Sequence, residues 1–254
     1  MDIDVALVPG QAQAWPETVC IVIDELRASS TLTTLLDQGA SEVLLTQDLE
    51  TARRLAGERG SLLAGERHGI TPAGFDYNNS PSELSTGDLR GRSVVLSTSN
   101  GTAVLAELQA MPVVLVGCVL NARACAESAV AAASALGIGV GVVCAGTLGE
   151  FALDDAVAAG LLVGRLMDAL AARGSGWTLS DAAIAAVRLR LAFPDIGEAL
   201  AQSVAGRLVT RLGAGDDVSF CARIDASAMV PVLRPGDPLR VERLTVLEGP
   251  ALVR

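Results

Sequence analysis

The residues best suited to chemistry lie in a short stretch that follows a hydrophobic run. Residues 19–23 are mostly apolar and β-branched, which is typical of a buried strand, and the run stops at Asp24. Arg27 follows, and three hydroxyl side chains at positions 29–31 lead into a helical pattern. Helix N-termini attract anions through their free N–H groups. The stretch therefore predicts a metal-assisted phosphate site, and a surface turn with a Ser/Thr helix cap is the alternative.

Three further polar turns follow predicted strands, at residues 65–80, 98–102 and 145–155. If the strands are parallel, the turns share one edge of the sheet and their side chains converge. Carboxylates, together with water and substrate phosphate, are the ligands that Mg²⁺ prefers, and arginine binds phosphate oxygens in pairs. The candidate metal ligands are Asp24, Glu66, Asp76, Asp154 and Asp155. The candidate anion-binding groups are Arg27, Arg67, Ser29, Ser30, Thr31, Asn79, Ser80, Thr98, Asn100, Gly101, Thr102 and Asn121.

Each of these candidates also has a purely structural explanation. Acids in the first turn of a helix interact with its dipole, which would account for Asp154 and Asp155. Asp76 would bond to N–H groups of its own loop, as Asp often does in turns. The start or cap of a helix would account for Asn79, Ser80 and Asn121. The sequence is compatible with both explanations for each of these residues.

The elements that must position these side chains alternate between strands and helices. Strands are predicted at residues 3–8, 19–23, 42–46, 62–64, 93–97, 113–117, 139–144, 229–233 and 239–244. Helices are predicted to end near residues 38, 59, 110, 136, 173, 191 and 212. The last of these begins at residue 195, and a further helix starts at Ser80. Residues 220–224 are ambiguous between helix and strand. The alternation predicts an α/β fold, a three-layer sandwich with a mainly parallel sheet, in a single domain of residues 1–254.

Composition excludes several classes of protein. The formal net charge of −10 over 254 residues argues against a nucleic-acid partner, and no apolar run is long enough to span a membrane. The N-terminus does not resemble a signal peptide, and the five cysteines are scattered without a C-x-x-C motif. We expect a cytoplasmic protein with reduced thiols. An acidic α/β enzyme of this size is often a homodimer, and that base rate is the only basis for an oligomer prediction.

The residue inventory also excludes several phosphatase chemistries. His68 is the only histidine, so the histidine phosphatases and the His-rich dimetal phosphatases, which need more, do not fit. The absence of lysine removes Schiff-base chemistry and the P-loop lysine. There is no H-C-x5-R loop, and residues 24–26 do not form the D-x-D of haloacid dehalogenases.

Taken together, the polar turns resemble the 2-phosphosulfolactate phosphatase family. Its motifs match this chain, in order, at residues 24–31, 65–67, 74–81, 98–102, 121, 145–146 and 154–160. Each motif is weak alone, but their order and rough spacing agree over about residues 20–225. Asn78 stands where the family pattern has Gly, and Asp154 stands where it has Glu.

The resemblance implies a Mg²⁺-dependent α/β phosphatase that removes phosphate from (R)-2-phospho-3-sulfolactate, a step of coenzyme M synthesis in methanogens. On that basis the candidate catalytic residues are Asp24, Arg27, Glu66, Arg67 and Asp76. The arginines would clamp the phosphoryl group or another substrate anion, and the turn at 98–102 would donate N–H and hydroxyl bonds. Two alternatives remain open: an enzyme acting on another phosphorylated hydroxy acid or a sugar phosphate, and a non-catalytic anion-binding protein.

Overall fold

Strands form where apolar, β-branched residues follow one another, and Thr18–Ile23 is the clearest case because all six of its residues are buried. The computed structural model describes residues 1–98 and 101–245. Its strands are β1 (Asp2–Ala6), β2 (Thr18–Ile23), β3 (Glu42–Thr46), β4 (Leu62–Gly65), β5 (Ser93–Ser97), β6 (Val113–Val116), β7 (Gly139–Cys144), β8 (Thr178–Leu179), β9 (Pro231–Arg234) and β10 (Leu239–Arg243).

Helices fill most of the connections between these strands. They are α1 (Ala28–Asp37), α2 (Leu49–Arg59), α3 (Pro81–Leu84), α4 (Gly101–Leu108), α5 (Ala122–Leu136), α6 (Leu153–Ala172), α7 (Asp181–Ala192), α8 (Ile196–Gln202), α9 (Val204–Arg211) and α10 (Gly215–Cys221). Capping fixes several starts: Ser80 precedes Pro81 and its hydroxyl accepts the Glu83 N–H at 3.3 Å. Two short 3₁₀ helices, Gln11–Ala14 and Val119–Asn121, were not predicted.

All ten strands belong to one sheet, in the order β4-β5-β3-β10-β9-β6-β2-β7-β1-β8. Pairing is parallel within β4-β5-β3 and within β6-β2-β7-β1-β8. The hairpin of β9 and β10 lies between these two blocks and pairs antiparallel with both. The prediction of a mainly parallel sheet is confirmed.

The hairpin changes how the polar turns can meet. Three successive antiparallel pairings separate β3 from β6, so the two parallel blocks run in opposite senses. The four polar turns therefore do not share one edge of a single parallel sheet, although residues of all four line one cavity. The turns after β2 and β5 nevertheless approach each other closely, since a methyl group on Gly101 would lie 2.9 Å from Asp24 Oδ2.

Helices cover both faces of the sheet. On one face, α5, α6 and α7 bury side chains such as Leu162 and Leu166 against β1, β2 and β7. On the other, α1 and α4 bury Leu32 and Leu105 with residues of β3, β5 and β6. The helix α2 packs a smaller cluster over β3, β4 and β5. This arrangement confirms the predicted three-layer α/β architecture, and the single domain of residues 1–254 stays a prediction. Among the described residues, no helix is both long and apolar enough to cross a membrane.

The C-terminal third departs most from the sequence-based elements. The helix predicted over residues 195–212 is two helices, α8 and α9, which are separated at Ser203. The Ser203 hydroxyl donates to the Leu200 carbonyl at 2.9 Å and accepts the Gly206 N–H at 2.8 Å, so it ends one helix and caps the next. The ambiguous residues 220–224 include the end of α10.

Candidate active site

Asp24 lies where β2 ends and joins the starts of two helices. Its carboxylate accepts the Ala28 N–H at 3.3 Å and also a hydrogen bond from the Gly101 N–H, so it contacts the first residues of α1 and α4. Its own N–H donates to the Ser29 hydroxyl at 2.8 Å. A methyl group on Gly101 would lie 2.9 Å from Asp24 Oδ2 and 3.0 Å from the Ala28 Cβ. Glycine is therefore required for this close approach.

Burial is the main influence on the ionisation of Asp24. It raises the pKa of this carboxyl from 3.8 to about 6, and the negative charge of Glu66 acts in the same direction. The N–H groups of Ala28 and Gly101 and the positive charge of Arg27 oppose the rise. An acid with such a pKa changes its charge close to neutral pH.

Arg27 brings the positive charge of this site. Its side chain is almost wholly buried, and Nη1 donates to Asp217 Oδ2 at 2.8 Å. Nη2 donates weakly to Asn78 Oδ1 at 3.4 Å. The partner acid belongs to α10, far along the chain, and sequence reasoning missed it because no motif marks Asp217. The available local signal was the pair of acids, Asp216 and Asp217, in the first turn of α10.

A cavity of about 210 Å³ opens beside these two residues. Its polar lining consists of Asp24, Arg27, Glu66, His68, Asn79, Thr98 and Thr147. The rest of its wall is apolar or small, formed by Leu26, Gly69, Leu148, Val204, Ala205, Leu208 and Val209. Five of the predicted site residues therefore face one space: Asp24, Arg27, Glu66, Asn79 and Thr98.

Two of these lining residues show how the cavity can bind an anion. Asn79 is 4% exposed, and its Oδ1 is buried without a hydrogen-bond partner. Because the oxygen and nitrogen of an amide are assigned by their surroundings, a side chain in this state can turn its NH₂ towards an incoming ligand. The hydroxyls of Thr98 and Thr102 lie 3.1 Å apart near the start of α4. Asp24 and Thr98 also line a small adjoining void with Ser29, Gly101 and Thr102.

Glu66 reaches the cavity from the turn that follows β4. The Gly69 N–H donates to Glu66 Oε2 at 2.8 Å, and the main chains of Arg67 and Ile70 pair across this turn. The Glu66 N–H donates to the Ser97 carbonyl at 3.1 Å, which ties the turn to the end of β5. Hydrogen bonds to main-chain groups therefore hold the Glu66 carboxylate in the cavity wall.

The two acids at the start of α6 differ in their surroundings. Asp155 accepts the Glu25 N–H through Oδ1 and the Gly146 N–H through Oδ2, each at 2.8 Å, and so links the turns after β2 and β7. Asp154 is also buried, but its Oδ1 has no partner. Burial, joined by the charge of Asp24, raises the pKa of Asp154 from 3.8 to about 6.

The remaining predicted residues fall into structural roles in the contacts that the structure shows. Asp76 is exposed and its Oδ2 accepts the Leu63 N–H at 2.8 Å, so the structure does not bring it to the cavity. Arg67 donates through Nη1 to the Glu66 carbonyl and through Nη2 to the Gln47 carbonyl and the Ser97 hydroxyl. These bonds join the ends of three strands.

Four more candidates also bind protein groups or pack against them. The fully buried Asn121 donates to the Met229 carbonyl at 2.9 Å and its Oδ1 accepts the Cys118 N–H, so its side chain is not the helix cap that the alternative proposed. The hydroxyls of Ser30 and Ser80 donate to Glu25 and Asp217. Thr31 is buried in α1. Asn100 lies outside the described residues.

The carboxylates of the cavity have the chemistry that Mg²⁺ requires. No group of three or more His, Cys, Asp or Glu side chains within residues 1–98 and 101–245 is arranged to share an ion. Mg²⁺, however, is commonly held by one or two carboxylates, with waters and substrate phosphate completing its shell. Asp24 and Glu66 on one cavity satisfy that requirement, and Asp154 offers a further buried carboxylate oxygen without a hydrogen-bond partner. Asp155 and Asp76 do not line this cavity.

The fold and the site define an α/β enzyme that handles small anions. A family model described as 2-phosphosulpholactate phosphatase matches residues 6–236. A probable 2-phosphosulfolactate phosphatase from Deinococcus radiodurans is 42% identical, covering 91% of this chain and 94% of the relative. A probable 2-phosphosulfolactate phosphatase from Thermus thermophilus is 37% identical over 92% and 95%. A 2-phosphosulfolactate phosphatase from Methanothermobacter thermautotrophicus is 38% identical over 86% and 88%.

The chain belongs to the 2-phosphosulpholactate phosphatase family. The resemblance read from the polar turns is thereby confirmed, as is the enzyme class, phosphoric monoester hydrolase.

Proposed function

We propose that the protein hydrolyses the phosphate monoester of 2-phospho-3-sulfolactate, releasing sulfolactate and phosphate, and that it does so with Mg²⁺. The observation that carries the proposal is the cavity on which Asp24, Arg27 and Asn79 converge. Arginine and a turnable amide suit the oxygens of a phosphoryl group, and the carboxylates suit a cation bound beside it. The names of the relatives support this choice of ester.

The residues divide the work of phosphoryl transfer between them. Arg27 binds phosphoryl oxygens, and Asn79 and Thr98 orient the ester by hydrogen bonds. Asp24 stands at the reacting side, where its carboxylate attacks phosphorus or orients the attacking water. Asp24 and Glu66 would hold Mg²⁺, whose chemistry when bound is the neutralisation of phosphoryl charge. Positioning and charge neutralisation are what this reaction chiefly requires.

Charge balance supports the need for a cation. The cavity is lined by the acids Asp24 and Glu66, and the charge of Arg27 is already paired with Asp217. A multiply charged anion would meet net repulsion in such a site, since like charges at close range repel strongly. A divalent cation removes that repulsion. This is also why a non-catalytic anion binder is the weaker alternative.

One observation favours a second substrate class. Leu148, Val204 and Leu208 form an apolar part of the cavity wall, and a sulfonate or carboxylate gains nothing from contact with them. The phosphate ester of a hydroxy acid with a less polar substituent would bury that substituent there. Hydrolysis of such an ester, or of a sugar phosphate, is therefore the alternative function.

Phosphate release distinguishes these proposals. The substrates are (R)-2-phospho-3-sulfolactate and a panel of other phosphate monoesters, each assayed with Mg²⁺ and with EDTA. We expect Mg²⁺-dependent release that is fastest from phosphosulfolactate. Faster release from another ester would retain the chemistry and change the substrate, and no release from any ester by folded protein would contradict the proposal. Participation in coenzyme M synthesis, a cytoplasmic location and a homodimer stay predictions.

A further inference from the structure

Asp217 is a fully buried acid whose two oxygens bind different parts of the molecule. Oδ2 accepts Nη1 of Arg27 at 2.8 Å. Oδ1 accepts the Ser80 hydroxyl at 2.7 Å, the Ser82 N–H at 3.0 Å and the Ser82 hydroxyl at 2.6 Å. One carboxylate thus joins α10 to the turn after β2 and to the start of α3.

The ion pair is difficult to explain by stability alone. Both side chains are buried, at 3% and 0% exposure. Removing two charges from water costs about as much as their attraction returns, so a buried pair contributes little net stability compared with apolar residues. Its geometric effect is larger. A guanidinium is planar, and fixing one nitrogen at 2.8 Å from a carboxylate restricts how the others face the cavity.

The Oδ1 contacts act on the other side of the same cavity. Ser80 and Ser82 flank the N-terminus of α3, and Asn79 directly precedes Ser80. Holding this turn places the Asn79 amide on the cavity wall, where its oxygen has no protein partner. Arg27 and Asn79 come from different loops. The Asp217 carboxylate therefore helps to hold both of them in place, Arg27 directly and Asn79 through the neighbouring serines.

We infer that Asp217 is a positioning residue for the proposed phosphatase reaction: its Oδ2 orients Arg27 and its Oδ1 fixes the turn that carries Asn79. The role is indirect, because Asp217 does not line the cavity. The kinetic test of this inference rests on the proposed function, because it measures ester hydrolysis. The binding test measures phosphate affinity and depends only on the geometry of the cavity.

Two variants separate the halves of this arrangement. Asp217→Asn retains Oδ1 for Ser80 and Ser82 but replaces Oδ2 with an NH₂ that cannot accept from Arg27. Ser82→Ala removes one Oδ1 contact and leaves the Arg27 pair in place. We expect Asp217→Asn to lower kcat/KM by about tenfold or more. Ser82→Ala should stay within about threefold of wild type, because the Ser80 hydroxyl and the Ser82 N–H still bind Oδ1 and hold the turn. Thermal unfolding of both variants shows whether any loss merely follows unfolding.

A double-mutant cycle tests whether Asp217 acts through Arg27. If it does, adding Asp217→Asn to Arg27→Gln changes kcat/KM by less than about twofold, because the oriented group is already gone. The same fold-loss in both backgrounds would overturn the inference. So would an Asp217→Asn protein that is less stable but has wild-type kcat and KM.

Binding keeps the inference testable if the proposed reaction fails. Should wild-type protein hydrolyse no ester, the affinity for inorganic phosphate with Mg²⁺ is measured by calorimetry on wild type, Asp217→Asn and Ser82→Ala. We expect Asp217→Asn alone to bind phosphate about tenfold or more weakly. Equal affinities in the three proteins, or no binding to wild type, would overturn the role of Asp217.

Discussion

Asp24 connects two helix starts while its carboxylate still faces the cavity. The N–H groups of Ala28 and Gly101 favour its charged form, whereas burial and Glu66 favour the neutral form. The result is an acid whose charge is sensitive to what binds beside it. A cation or the guanidinium of Arg27 would stabilise the carboxylate, which is the form needed either for attack or for orienting water.

Asp24→Asn keeps the shape of this side chain and removes its charge. We expect kcat to fall by about 10²–10⁴-fold, the range typical of losing a positioned acid or base. Asp48→Asn is the matched control, because Asp48 is exposed and caps α2, and Asn caps equally well. Steady-state phosphate release at saturating Mg²⁺ measures both variants. Wild-type turnover by Asp24→Asn would exclude Asp24 from the chemistry.

Glu25 gives the molecule a pH-dependent stability. Burial raises the pKa of this carboxyl from 4.5 to about 8, although the Val119 N–H and the Ser30 hydroxyl lower it. Since the folded state holds the proton more tightly than the unfolded chain, the stability that Glu25 contributes is complete below about pH 4.5 and is lost as pH rises to about 8.

Glu25→Gln mimics the protonated acid and should remove this dependence. Its amide oxygen can accept the Val119 N–H as Glu25 does, and its NH₂ can donate to the Ser30 hydroxyl, which donates to Glu25 in the wild-type protein. We expect the free energy of unfolding of the variant, relative to wild type, to rise between pH 5 and pH 8 by up to about 1.4 kcal/mol per pH unit. Denaturant unfolding in EDTA measures it. A constant difference between the two proteins across this range would contradict a protonated Glu25.

Sequence reasoning identified the residues whose neighbours in the chain reveal them. Asp24 and Arg27 stand out because a buried strand ends and a helix begins around them. Asp217 could not be found in this way, since its significance comes from Arg27, 190 positions away. Asp76 shows the reverse case. It lies in a motif, yet its carboxylate serves the Leu63 N–H in the described contacts.

At the scale of the elements, the contact between α1 and α4 depends on Gly101. A Cβ at this position would approach Asp24 Oδ2 to 2.9 Å and the Ala28 Cβ to 3.0 Å. The first residue of α4 therefore packs directly on Asp24 and on Ala28, the first residue of α1. The approach determines where both N-termini point.

Gly101→Ala should consequently impair activity more than folding. The added methyl must displace the Asp24 carboxylate, so we expect kcat/KM to fall by about tenfold or more with a modest decrease in Tm. Gly57→Ala is the control: it lies inside α2 with nothing within 4 Å of the new methyl, and Ala is favoured by up to about 1 kcal/mol in a helix. Equal kinetics in the two variants would show that the close approach is unimportant.

The boundaries of α8 and α9 show where periodicity alone fails. Apolar spacing over residues 195–212 continues across the break, so the pattern predicts one helix. Ser203 ends α8 and caps α9 because its buried hydroxyl satisfies main-chain groups on both sides. Gly206 permits the break, since a methyl there would lie 1.9 Å from the Leu200 carbonyl oxygen. A serine and a glycine three residues apart were the available signal.

At the scale of the whole molecule, metal binding should couple to stability. Asp154 is buried, Asp24 is half-buried, and the charge of Asp24 opposes ionisation of Asp154, so a bound cation should relieve this repulsion. We expect Mg²⁺ to raise Tm relative to EDTA in wild type and to do so much less in Asp24→Asn. Asp76→Asn should keep the full shift, because its carboxylate is away from the cavity. Equal shifts in all three proteins would contradict a Mg²⁺ site at Asp24.

The architecture could be predicted as a class but not in its connections. Most strands were found within one or two residues because their apolar runs are bounded by polar turns. Their order could not be found, since the pairing of β10 with β3 joins residues almost 200 positions apart. The antiparallel hairpin at the centre of the sheet is therefore a property of long-range contacts that no local pattern encodes.

That hairpin also has a consequence for synthesis on the ribosome. The strands in the middle of the sheet, Pro231–Arg234 and Leu239–Arg243, are made after the eight others, so the two parallel blocks leave the ribosome without the piece that joins them. Until it arrives, β3 and β6 present edges with unpaired main-chain groups, which invite pairing between nascent chains. Completion of the sheet must await the last strands, and a chain released before residue 231 would expose both edges permanently.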